Sequence, residues 1–219
     1  MSQTREAYHH GDLRNALISS AVRLIGQGGE AAFSLREAAR DVGVSANAAY
    51  RHFDDKSALL TAAAADGLEQ LASRMLKAMD RAAESGKKER PAIARFKAVG
   101  RAYVDCAMAH PELFRLMFSG SGVACLTAGA VGLPTPTPWE LLGRSLDALV
   151  ADGLLTTDRR EAAELKAWSV VHGFASLALA GHSAVPTGRQ RQAALEAALE
   201  FAVLGLCAAT PPRVTSRSR

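Results

Sequence analysis

Apolar residues recur at three- and four-residue spacing in one segment of the chain after another, which predicts a succession of amphipathic helices. Leu13, Leu17, Ala21 and Leu24, broadened by Ile18, Val22 and Ile25, place a first helix over Asp12–Gln27, stopped by Gly28-Gly29. Leu60, Ala64, Leu68, Leu71, Met75 and Met79 mark a long helix from Asp55 to about Glu84. At the α-helical rise it spans about 45 Å, enough to link two bodies. Met75 and Met79 read as core packing. After a charged turn, ESGKKERP, Pro91 opens a helix carrying Ile93, Phe96, Val99, Tyr103 and Met108 and ending at His110-Pro111. Pro111 opens a short helix with Phe114, Met117 and Phe118 on one side. Ser119–Pro138 has no helical period and reads as a mobile lid or loose connector.

The last third of the chain is apolar on two sides. Thr137 followed by Pro138 and Glu140 is a capping box with Pro at the first helical position, opening a helix through Ala151 that Gly153 ends. Asp158 is read as the cap of the next long helix. There Leu165, Trp168, His172, Ala175, Leu179 and His182 form one stripe and Val170, Val171, Phe174, Ala178 and Gly181 another. Thr187–Cys207 repeats the doubling, with Leu195, Leu199, Ala202 and Leu206 opposite Ala197, Phe201 and Leu204. A helix apolar on two faces is buried on both, so this pair is expected to build a four-helix dimer interface with a second copy.

Ser34–Phe53 carries the strongest functional pattern. Ser34 and Glu37 have capping-box spacing, Gly43 stands where a left-handed residue ends a helix, and Ser45 caps another. Ala39 and Gly43 permit close approach across a tight turn, the arrangement of a helix-turn-helix whose second helix enters the DNA major groove. With Ala49 and Phe53 inward, Asn47, Tyr50, Arg51 and His52 present amide, hydroxyl, guanidinium and imidazole groups suited to base edges and phosphates. Lys56, in the first turn after an Asp54 or Asp55 cap, opposes the helix dipole, a conflict that a nearby phosphate removes. Tyr8-His9-His10-Gly11 reads as a loose terminus or as an arm touching phosphate or minor groove.

Composition narrows the classes. The 219 residues, 48% of them hydrophobic and 5% aromatic, with mean hydropathy near zero, suit a helical globular protein with one large or two modest cores. No apolar run reaches the roughly 18 residues that span a bilayer, and no signal-peptide pattern opens the chain, so a cytoplasmic location without membrane contact is expected. Cys106, Cys125 and Cys207 are odd in number and widely spaced, suggesting reduced thiols rather than disulfides or a metal site, with Cys125 the most reactive. The net charge of +4 is weak support for nucleic acid. Within the first sixty residues seven basic residues balance seven acidic ones, so the DNA reading rests on placement. No nucleophile–base pair, carboxylate pair, phosphate-cradling Gly loop or metal spacing is present, which argues against an enzyme and gives no cofactor to expect.

The run SLREAARDVGVSANAAYRHFDDK, Ser34–Lys56, resembles the DNA-binding domain of TetR-type bacterial transcriptional regulators, most specifically in the spacing of Tyr50, His52, Phe53 and Lys56. Asn47 stands where Gly is frequent in that family, and Ala49 where a larger apolar residue is frequent. Trp168–Gly173, WSVVHG, resembles the W-x-x-x-H-G signature of a TetR-type C-terminal domain, and Ala109–Phe118 resembles a segment of one family branch. The resemblance implies an all-α subunit. Residues 1–54 would form a three-helix DNA-binding domain with an N-terminal arm, 55–208 a larger helical dimerisation and effector-binding domain, and 209–219 a disordered tail. It implies base contacts from Ala46, Asn47, Ala48 and Arg51. Phosphate contacts are implied from Ser34, Arg36, Ser45, Tyr50, His52 and Lys56.

The partners expected are double-stranded operator DNA, a second copy of the chain, and a small apolar effector near Phe114, Met117, Phe118, Trp139, Trp168 and His172. Such a protein would be a repressor released from a near-palindromic operator. A ligand-independent activator or architectural DNA-binder of the same fold is the alternative. For Trp168, His172 and Gly173 a purely structural role, a core Trp with a hydrogen-bonded His and close helix packing at the Gly, stands beside effector contact.

Overall fold

The computed structural model describes residues 3–84, 90–119 and 136–207. Cys125, most of the 119–138 segment and the 209–219 tail lie outside the described residues. Ten helices and no strand occur among those described. In chain order they are α1 (Gln3–Ala32), α2 (Leu35–Val42), α3 (Ala46–Tyr50), α4 (Lys56–Glu84), α5 (Pro91–Ala109), α6 (Pro111–Met117), α7 (Pro138–Ala151), α8 (Thr157–Arg160), α9 (Ala163–Leu179) and α10 (Gly188–Cys207).

Two apolar cores form. The N-terminal one gathers Leu17, Ile25, Phe33, Leu35 and Phe53 from α1–α3 and their connections, Leu59, Leu60, Ala63 and Ala64 from α4, and Leu113 and Leu116 from α6. In the larger core α5 is central, packed by α4, α6, α7, α9 and α10. α6 thus contributes to both, with Phe114 and Met117 turned to the larger core. Gly67 on α4 makes room for it, since a Cβ there would lie 3.0 Å from both Leu113 and Met117.

Two boundaries differ from the sequence reading. The first helix begins at Gln3, so the segment expected to be loose is helical, and His9 and His10 lie within α1. Its stop is as expected: Gly29 adopts φ 74°, leaving a short turn to Ala32. Asp158 does not cap the long helix. Thr156 precedes the four-residue α8, Ala162 breaks the chain at φ 56°, and α9 starts at Ala163. Arg160 holds this corner, donating to Asp147 on α7 at 2.7 Å and pairing with Glu164 on α9 at 2.6 Å. α7 follows the sequence closely, with both bonds of the Thr137–Glu140 capping box made and Gly153 at φ 67°.

Candidate DNA interface and ligand cavity

The helix-turn-helix is fixed by local bonds. The Ser34 hydroxyl accepts the Glu37 amide at 3.2 Å, while the Glu37 carboxylate turns to Arg40. Gly43, at φ 80° and ψ 26°, ends α2, and the Val44 amide reaches back to the Ala39 carbonyl at 2.9 Å. The Ser45 hydroxyl accepts the Ala48 amide at 3.2 Å. Ala38, Ala39 and Ala49 are buried, so methyl groups line the seam between α2 and α3. Phe53 packs beneath with the Arg14 guanidinium over its ring at 5.2 Å. On the other flank Asp41 accepts from buried Ser20 at 2.5 Å and pairs with Arg23, tying α2 to α1. The Ser20 hydrogen bond, more than the Arg23 charge, holds the Asp41 carboxyl below its usual range.

These constraints leave one face to solvent. Ser34, Arg36, Ser45, Asn47, Tyr50 and Arg51 are exposed; Ala46, Ala48, His52 and Lys56 are half-buried. The ten residues nominated for DNA therefore lie on α2, α3, the turns around them and the first position of α4. The Asp55 carboxylate caps α4 by accepting the Ala58 amide at 2.7 Å. Lys56 donates to the Glu30 carbonyl at 2.8 Å and lies 5.9 Å from the Phe33 ring centre, so the ammonium is held at the junction of α1 and α4. One of its three protons is used there, leaving two for an anion.

The larger core encloses a cavity of about 430 Å³ walled by α4, α5, α7, α9 and α10. Of the residues nominated for an effector, Phe118, Trp139 and Trp168 line it, and so does Met75, which sequence alone assigned to packing. Phe114, Met117 and His172 do not line it. Phe114 and Met117 are buried, and His172 stacks behind with its ring centre 4.9 Å from Phe118. Gly100 lines the cavity as well, where a Cβ would stand 2.5 Å from Leu199 and 3.3 Å from Val171.

Tyr103 is the residue that sequence reasoning passed over, having placed it only on a core stripe. Its hydroxyl accepts from the Trp168 indole at 3.0 Å and lies 2.8 Å from His172 Nδ1. A phenol carries one proton. With indole N–H filling a lone pair, that proton points at Nδ1, so His172 is neutral with its own proton on Nε2. Burial agrees on both counts, pushing the Tyr103 phenol up and the His172 imidazole down from their ordinary values. The signal was available: a buried Tyr needs a hydroxyl partner, and Trp168 and His172 offer a donor and an acceptor one turn apart. Gly173 plays no close-packing role within the subunit, since a Cβ there meets nothing within 4 Å.

His110 bonds Arg74 at 2.9 Å, and His182 accepts the Ala184 amide at 3.1 Å. Among the described residues no His, Cys, Asp or Glu group is arranged to hold a metal, and no helix is long and apolar enough to cross a membrane.

An all-helical subunit with an N-terminal helix-turn-helix and a larger helical body is the architecture of a DNA-binding regulator. The profile "Bacterial regulatory proteins, tetR family" matches residues 17–63, and "Tetracyclin repressor-like, C-terminal domain" matches 96–202. A protein of unknown function from Rhodococcus sp. RHA1 shares 32% identity at TM-score 0.71 over 91% of this chain and 98% of that one. A TetR family regulator from Marinobacter aquaeolei VT8 has TM-score 0.59 at 18% identity, covering 93% and 97%. RolR in complex with resorcinol has TM-score 0.61 at 16% identity, covering 95% and 100%. No curated protein matches the chain. The chain belongs to the TetR family: it is a DNA-binding transcriptional regulator and not an enzyme.

Proposed function

We propose that this regulator is a cytoplasmic homodimeric repressor, released from a near-palindromic operator when a small molecule with an apolar body enters the cavity. The observation that carries the reading is the position of α6. Its C-terminal neighbour Phe118 lines the cavity, while Leu113 and Leu116 lie in the core beneath the helix-turn-helix. A ligand that displaces Phe118 acts through α6 on α1 and α4, and so on the separation of two reading heads. A coupling of about 1 to 3 kcal/mol weakens operator binding 5- to 150-fold.

The division is proposed as 1–54 for reading DNA and 55–208 for dimerisation and effector binding. Ala46, Asn47, Ala48 and Arg51 face bases; Ser34, Arg36, Ser45, Tyr50, His52 and Lys56 face phosphates. For the second copy the support is an apolar face on α9 and α10. Leu165, Leu177, Phe201 and Leu204 are exposed, Phe201 by 70%, and the Cβ positions of Gly173 and Gly205 open to space. Leu165, placed by spacing on one stripe with Trp168, His172 and Ala175, is exposed, while Ala175 is buried and Trp168 and His172 are half-buried. A two-fold dimer sets half-sites about 34 to 36 Å apart or a multiple of it. For a ligand, the support is the cavity itself and the resorcinol held by RolR, a neighbour in fold.

The test is fluorescence anisotropy with labelled DNA flanking the protein's own gene, at two salt concentrations, beside Lys56→Ala and Tyr50→Ala. Selective binding at about 10⁻⁸ M or tighter is expected, with both variants weaker on every sequence and the Lys56→Ala salt slope lower by about 1. Deletion of the gene is expected to raise transcription of its target; a fall would replace the repressor by an activator.

A further inference from the structure

Five aromatic rings, Phe96, Tyr103, Phe118, Trp139 and Trp168, line the cavity, and the only charged side chain among its described lining residues is Glu140. Trp139 and Trp168 meet edge to face at 5.8 Å, and Phe118 lies 5.9 Å from Trp168. Trp139 and Glu140 are exposed while Phe96, Met75 and Leu199 are buried, so the wall runs from hydrocarbon inside to aromatic and anionic at the mouth. The wall offers an incoming anion little. The indole N–H of Trp168 and the Tyr103 hydroxyl are already committed to one another and to His172, which leaves the Thr137 hydroxyl as the remaining side-chain donor. The α7 N-terminus, by itself a place for anions, has Pro138 without an N–H, and the Glu140 amide is taken by Thr137. Its dipole amounts to about half a positive charge, against the full negative charge of the Glu140 carboxylate beside it. The sequence of residues 120–135 adds no Asp, Glu, Lys, Arg or His.

We infer that the cavity binds an organic cation: an apolar body seated among Met75, Phe96 and Leu199, with an ammonium or amidinium head among the rings at the mouth, beside Glu140. Aromatic faces attract a desolvated cation, and a carboxylate at the rim adds to that field. Carboxylate and phosphate ligands are selected against. The inference rests on the proposed ligand reading of the cavity and names the class of ligand for it.

Three probes with one tail separate these ideas: decyltrimethylammonium, 1-decanol and decanoate, titrated into the full chain below their micelle-forming concentrations, with tryptophan emission as readout. The cation is expected to bind roughly tenfold tighter than the alcohol, and decanoate more weakly than either. Glu140→Gln, which keeps a side-chain carbonyl for the Thr137 amide, is expected to remove most of the cation's advantage while leaving the alcohol unchanged. Trp139→Leu is expected to weaken the cation more than the alcohol. Decanoate or decanol binding as tightly as the cation overturns the cationic class and leaves the cavity reading standing. Cation preference that survives Glu140→Gln and Trp139→Leu also overturns it. No emission change with any of the three overturns both.

Discussion

At the DNA end, Ala38, Ala39 and Ala49 bring α2 and α3 close together, and Ser34, Gly43, Ser45 and Asp55 fix where each helix starts or stops. At the other end longer helices made from the same Leu- and Ala-rich sequence leave about 430 Å³ unfilled, and Tyr103 in its wall bonds Trp168 beside it and His172 behind it. One region is specified by backbone termini and small side chains, the other by large side chains held apart. Sequence patterns describe the first kind of order well because capping is local; the second depends on which distant residues meet.

Core truncation should separate the two most strongly. Leu59→Ala, in the filled core, is expected to cost about 4 kcal/mol, and Leu142→Ala, which already faces empty space, about 2 kcal/mol. Urea denaturation gives both, and equal costs would erase the contrast. Tyr103→Phe strands the Trp168 N–H and a His172 nitrogen; a loss of about 2 kcal/mol is expected, with a shifted Trp168 emission and unaltered DNA affinity in the absence of ligand. If DNA affinity also falls, the two regions are coupled even without a ligand. Ser34→Ala is the smaller lesion, about 1 kcal/mol, and should weaken DNA binding on all sequences. An unchanged affinity would remove Ser34 from the interface.

Acid should act on the two ends in different windows. His172 has its affinity for protons lowered by burial, so the unfolded chain binds the proton first and stability falls as pH drops below about 6.5. Asp41 is displaced the same way from a lower starting point. Its contribution is intact above 3.8 and is lost as pH falls further, through its folded-state value. Thermal melts from pH 7 to 5 should therefore show a slope in the native protein that His172→Gln reduces. A slope unaffected by that change would place the titrating group elsewhere.

The helix-turn-helix was legible almost to the residue because Ser34, Gly43, Ser45 and Asp55 each act within one turn of their own position. Glu37 was half read: it has the spacing for a capping box, but Arg40 one turn on competes for its carboxylate. The α8–α9 corner was not legible. A left-handed Ala costs about 1 to 2 kcal/mol, so nothing in Ala162 announces a break. It is held by Arg160, bonded to residues 13 positions before and 4 after it. Among the residues named for the cavity, Phe118, Trp139 and Trp168 line it while Phe114, Met117 and His172 stand behind. Helical spacing tells which residues share a face but not how deep each one sits. Tyr103 belongs to the site only through partners more than 60 positions away.

Gly100 governs how much of the cavity stays empty. A Cβ at this position would overlap Leu199 at 2.5 Å and crowd Val171 at 3.3 Å, both of which line the same space, so a substitution here forces Leu199 to move and takes up cavity volume without touching a cap, a charge or the reading helix. On the proposed effector reading, one residue of α5 resets the size of molecule admitted while every bond that fixes the helix-turn-helix stays as it is.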